Sequence, residues 1–200
     1  MPDPVRRISF LFIALLLAAP VSAQQSALTV PRNLAQLVER SAVIVRGNVI
    51  SARIEKHPEL TALDTLVVTL RVQDTMKGTA GDTFTFRQYV WDIRDRISGV
   101  GYKKGQDVLL MMIAPSRYGL SSPAGVEQGR FRIERDAAGR EYAVNAHNNR
   151  QLFQGVGAQM SMAGITPSPA ASSLLAKHHS GQVELRELTT LIRQLATGSE

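Results

Sequence analysis

Apolar residues recur with two periods along this chain, and the switches between them mark out its elements. Leu34, Leu37 and Val38 stand at helical spacing between Asn33 and Arg40, with Pro31 near the first turn, where its missing N–H costs nothing. This predicts a short N-terminal helix. From Ala42 the period changes. Val43, Val45 and Val49 fall on one face and Ile44, Ile50, Ala52 and Ile54 on the other, with Gly47 between them. A strand apolar on both faces and interrupted by glycine predicts one long, sharply bent strand that serves two halves of a barrel. After a polar connection from His57 to Asp64, Leu66, Val68, Leu70 and Val72 alternate inward against Thr69, Arg71 and Gln73. Turn residues follow at Lys77-Gly78 and Gly81-Asp82. Phe84, Phe86, Gln88 and Val90 then alternate with Thr83, Thr85, Arg87 and Tyr89, which predicts an antiparallel hairpin over residues 65–90.

Lys103 to Gln106 reads as a turn, and the apolar run Val108 to Ile113 as a central strand buried on both faces. Helix is the rival reading, but the length of the run and the closing Pro115 favour strand. Gly129 to Asp136 and Arg140 to Ala146 form a further hairpin across Ala137-Ala138-Gly139. Six short strands without alternating helices predict a mainly β domain, a small antiparallel barrel or sandwich. Pro167, Pro169 and the Ser/Ala-rich residues 166–173 read as a linker. Val183, Leu185, Leu188, Leu191, Ile192 and Leu195 then return to helical spacing and predict a C-terminal helix that docks on the barrel.

The first residues belong to a different class of segment. Arg6-Arg7, the apolar run Ile8 to Ala19, and small residues at Val21 and Ala23 have the anatomy of a secretory signal peptide over residues 1–23, cleaved near Ala23. The run is shorter than the ~20 residues a bilayer core requires, so no transmembrane anchor is expected after cleavage. A periplasmic or secreted bacterial location follows, reached by the general secretory route or, through the arginine pair, the twin-arginine route. The chain has no cysteine, which excludes a lipidated cysteine, a disulfide framework and thiolate metal sites. Loss of Arg6, Arg7 and Asp3 takes the formal charge from +6 to +5. Beyond the cytoplasmic membrane such a basic surface meets lipid head groups, cell-wall polymers and acidic proteins rather than nucleic acid.

Several runs carry a family resemblance. They are Leu37 to Val49 (LVERSAVIVRGNV), Thr69-Leu70-Arg71-Val72 with Met76-Lys77-Gly78, Lys104 to Met111 (KGQDVLLM), and Glu127-Gln128-Gly129-Arg130-Phe131. Together they resemble a group of uncharacterised secreted bacterial proteins whose barrel is similar to the OB-like module of netrins and of tissue inhibitors of metalloproteinases. The resemblance spans residues 34–146 and implies an OB-like barrel with a short N-terminal and a C-terminal helix. The division expected is a signal peptide (1–23), the barrel domain (24–160), a linker (161–180) and the docked helix (181–197). Protease inhibition does not carry over, because it uses a disulfide-bonded N-terminal cysteine amine. Here there is no cysteine, and Gln24 can cyclise.

The remaining candidate chemistry is sparse. There is no Gly-x-Ser-x-Gly, phosphate loop or His-Glu-x-x-His, and no enzyme activity or cofactor is expected. Trp91, Asp92, Arg94, Asp95 and Arg96 place the only tryptophan among charges in the connection between two strands. Because Trp and Arg dominate binding hot spots, this loop, continuing to Tyr102 and adjoined by Arg71, Arg87 and Tyr89, is the expected binding surface. The expected function is thus an exported non-catalytic module. Its partner would be an envelope or secreted macromolecule, foremost a protein and otherwise an anionic envelope polymer. The alternative is a periplasmic copper or zinc handler using Met160, Met162, His178 and His179, soft and imidazole ligands that suit those ions.

Overall fold

A computed structural model describes residues 30–90 and 101–198. The residues read as a signal peptide (1–23) and Trp91, Asp92, Arg94, Asp95 and Arg96 lie outside the described residues. The first helix, α1 (Leu34–Arg40), begins one residue later than its pattern suggests. Asn33 caps it by accepting from the Gln36 amide at 3.0 Å, while the Gln36 side chain accepts from the Asn33 amide at 3.1 Å. This reciprocal cap, rather than Pro31, sets the start.

The fold is mainly β. Seven strands, β1 (Val43–Lys56), β2 (Asp64–Lys77), β3 (Thr83–Tyr89), β4 (Asp107–Met112), β5 (Arg130–Arg135), β6 (Glu141–Asn145) and β7 (Val183–Glu184), form one antiparallel sheet in the order β3-β2-β1-β4-β5-β6-β7. The closed ladder of a barrel is not formed among the described residues, since β3 and β7 are free edges of the sheet. A two-residue strand also precedes the C-terminal helix, so Val183 belongs to the sheet rather than to the helix.

β1 is long and bent, and its two ends pair with different strands. Its first half lies between β2 and β4, while its second half pairs with β2 alone. The pairing explains why the sequence misplaced the second half of β1. Val49 faces Leu70 and Ser51 faces Thr69, so Ile50 is an extra, unpaired residue. Such a bulge reverses the alternation beyond it. Ala52 and Ile54 consequently pack on the same side as Val43, Val45 and Val49, not opposite them. Gly47 is required for another reason: a Cβ there would sit 2.5 Å from the Arg71 carbonyl oxygen, so only glycine lets β1 and β2 approach so closely.

Two apolar clusters lie on either side of β4, as its uninterrupted apolar run predicts. Val108, Leu110 and Met112 join Val45, Val49, Leu66, Val68, Leu70, Phe86 and Tyr102 inside the curl of β1 to β4. Leu109 and Met111 face the other way, onto Phe131 and the helices. The helices beyond α1 are α2 (Val156–Met162), α3 (Pro169–Lys177) and α4 (Leu185–Thr197). In α4, Leu185, Leu188, Leu191, Ile192 and Leu195 are all buried in that second cluster. The stretch read as a linker is therefore not a tether. Ser168 accepts from the Ala171 amide, Pro169 occupies the first turn, and Ala171 and Leu174 of α3 are core residues.

A buried asparagine pair joins β6 to the C-terminal half. Asn149 takes a left-handed backbone (φ 53°) and its side chain donates to the carbonyls of Ala143 (2.9 Å) and Gly181 (2.8 Å). Its Oδ1 accepts from the Asn145 amide at 3.0 Å, and the Asn145 side chain accepts in return from the Asn149 amide. Among the described residues no helix is long and apolar enough to cross a membrane.

Candidate binding face

Residues opposite one another in neighbouring strands share a face, and the registers align four rows across β1, β2 and β3. They are Glu55-Thr65-Tyr89, Arg53-Val67-Arg87, Ser51-Thr69-Thr85 and Asn48-Arg71-Thr83. Three expected site residues, Arg71, Arg87 and Tyr89, are thereby brought together on the outer face of the curl. Tyr89 is 42% exposed, and Arg71 is exposed with no ion pair among the described residues. Arg87 is held in place: it donates to the Thr65 hydroxyl and pairs with Glu55 at 3.2 Å. Arg53 pairs with the same carboxylate. A hydrogen bond from Arg53, with Arg87 adding to it, outweighs desolvation and holds the Glu55 carboxyl below its ordinary value. Arg53 and Arg87 thus share the single Glu55 carboxylate, whereas Arg71 has no acidic partner among the described residues.

Tyr102 does not belong to that surface. It is 3% exposed, packs edge-on against Phe86 at 5.6 Å, and lies under the Arg130 guanidinium, 4.8 Å from the ring centre. Burial raises its phenol well above the ordinary value. Tyr102 stands in the connection just before β4 and turns into the interior of the curl, which alternation within strands does not reveal.

The metal alternative does not come together either. Met160 is wholly buried in the helical cluster, whereas Met162 on the same helix is 81% exposed. His178 packs edge-on against Phe153, 5.0 Å between ring centres, and its Nε2 lies 3.0 Å from the Gln182 carbonyl, while His179 is exposed. No group of three or more His, Asp or Glu side chains suited to a metal is found among the described residues.

What the sequence reading missed is the open side of the curl. After β4 the chain runs through Ile113–Pro123 and crosses to β3, where the Ser121 amide donates to the Arg87 carbonyl at 2.8 Å and Leu120 bridges Arg87 in parallel. His57 pins this loop. Its Nδ1 accepts from the amides of Glu59 (3.1 Å) and Leu60 (3.0 Å), so Nε2 carries the proton and donates to the Tyr118 carbonyl at 2.8 Å. Between the loop and β3 remains an apolar cleft of about 270 Å³, walled by Phe84, Phe86 and Val67 on one side and Val43, Met112 and Ile113 on the other. Pro115 and Gly119, punctuation between two strands, were the available signal for this loop.

Comparison of the chain with models of protein families, with curated proteins and with solved structures finds no match.

Proposed function

We propose that the protein is exported with cleavage near Ala23 and acts as a non-catalytic binding module of OB-like type, recognising another macromolecule of the envelope or secreted milieu, foremost a protein. Export is supported by the sequence of residues 1–23. The OB-like reading is supported by a long, bulged first strand shared between β2 and β4, and by the curl that buries one face of β1 to β4. Ligands of OB modules bind on the outer face of the middle strands and the loops beside it. The single observation that carries the functional reading is the exposed face on which Arg71, without an ion pair among the described residues, lies two rows from Arg87 and three from the exposed aromatic Tyr89.

The test is capture from native periplasm or culture medium with the mature chain as bait, beside the double variant Arg71→Glu/Tyr89→Ala. Exposed strand residues contribute little to folding, so the variant should melt with the wild type. If these side chains anchor the interface, retention of the wild type's partner should fall about tenfold or more. Equal retention by both proteins would refute this face as the site. Retention of a soluble anionic polymer instead of a protein, abolished by salt, would reassign the partner.

A further inference from the structure

We infer that the free edge of β3 accepts an extended segment of the partner protein, with apolar side chains at alternate positions and a carboxylate close by. The inference rests on the protein-binding reading above and names the class of segment that would fit there. It starts from the direction of the β3 backbone. The Arg87 carbonyl accepts from Ser121 on the side away from β2, and in an antiparallel ladder residues two apart point the same way. Thr85 and Thr83 therefore also turn N–H and C=O away from β2. The other end of the ladder agrees: the Val72 amide donates to the Asp82 carbonyl at 2.9 Å, so the residues of β3 that alternate with Thr83 and Thr85 are the ones bonded to β2. No partner for these outward groups of Thr83 and Thr85 occurs among the described residues. From Thr83 to Arg87 the edge spans roughly 13 Å, room for four or five residues of a partner strand.

The chain already uses this edge at one position, through Leu120 and Ser121, which shows that the edge accepts a strand-like neighbour. Where its own loop stops, the cleft begins. A strand laid beside Thr83 and Thr85 would turn every second side chain toward the walls of Val43, Phe84, Met112 and Ile113. Among the described residues Arg87 is the one charged residue in the lining, and no carboxylate lines the cleft. Arg87 is already paired with Glu55, so Arg71, beside Thr83 and without an acidic partner among the described residues, is the charge that makes the flank of the cleft complementary to a carboxylate. Main-chain pairing would give affinity, and the apolar cleft and Arg71 would give selectivity.

The mature protein, residues 24–200, is panned against a display library of random octapeptides. Enriched sequences are then synthesised and measured by fluorescence anisotropy. Enrichment of apolar residues at alternate positions with an Asp or Glu is expected. Binding should weaken about tenfold when alternate peptide amides are N-methylated, a change that removes pairing without touching the protein. It should weaken similarly with Ile113→Asp, which puts a repelling carboxylate at a half-exposed wall position and leaves folding intact. Selection without the alternation, or indifference to N-methylation, would overturn the inference. So would concentration-dependent dimerisation that covers Thr83 and Thr85, which would make a second copy the occupant. If macromolecular capture depends on Arg71 and Tyr89 while no alternating peptide is selected, the edge inference fails and the functional reading stands.

Discussion

Replacing Asn149 by alanine removes three side-chain hydrogen bonds at one buried junction. The Ala143 and Gly181 carbonyls lose their donor, and the Asn145 amide loses its acceptor. Ala143 and Asn145 are buried, so these two groups are stranded, whereas Gly181 is partly exposed and water can replace the bond. Two stranded backbone groups at about 1–2 kcal/mol each, with about 1 kcal/mol for alanine held at positive φ, give a loss of about 3–5 kcal/mol. In a domain of this size that lowers the melting temperature by roughly 10 °C. Urea unfolding followed by circular dichroism measures the loss. Asn149→Gly separates its parts, because glycine keeps the left-handed backbone without strain and should recover up to about 1 kcal/mol. A loss below about 1 kcal/mol for Asn149→Ala would refute the reasoning, since it would mean that the junction is not sealed from water.

Leu70→Asp places an unpaired carboxylate in the inner cluster and should abolish cooperative folding, read as loss of the thermal transition. Gly47→Ala forces the β1 and β2 backbones apart and should cost about 2 kcal/mol or more in denaturant unfolding, against less than 1 for an exposed site. Burial alone would raise the Glu141 carboxyl, but hydrogen bonds from Arg135 and Arg46 outweigh it and hold the group below its ordinary 4.5. The stability it contributes is therefore present above about pH 4.5 and lost as pH falls through the lower folded value. Melting curves of wild type and Glu141→Gln should differ at neutral pH and converge in acid, and a constant offset would contradict this. His57→Ala frees the Glu59, Leu60 and Tyr118 backbone groups, so it should raise amide exchange in residues 116–121 before it affects β6.

Much of the sheet was legible because one-sided burial writes a period of two, as in Val68 to Leu70 and Phe84 to Phe86, and two-sided burial writes an unbroken run, as in Val108 to Met112. Where the pattern misled, pairing geometry had intervened. The bulge at Ile50 moves Ala52 and Ile54 to the other face, and nothing in the local sequence announces which residue the ladder will skip. Composition obscured α3. Its Ser-Pro start is a good helix signal, but the surrounding Pro, Ser and Ala pointed to a linker. For the site, Arg71, Arg87 and Tyr89 could be placed on one face by alternation alone. Tyr102 could not, because whether an aromatic next to a turn points in or out depends on what fills the curl. The cleft beside β3 was out of reach for the same reason, since it is bounded by Val43, Phe84 and Ile113, residues far apart in the chain.

Amide hydrogen exchange along β3 tests the binding account most directly. In the free protein Phe84 and Phe86, whose groups pair with β2, should be protected, while Thr83 and Thr85 exchange freely at the open edge. Adding a selected octapeptide should slow Thr83 and Thr85 and leave the distant β5 and β6 amides unchanged. Thr83 and Thr85 already as protected as Phe84 and Phe86 in the free protein, or unaffected by a bound peptide, would contradict the account.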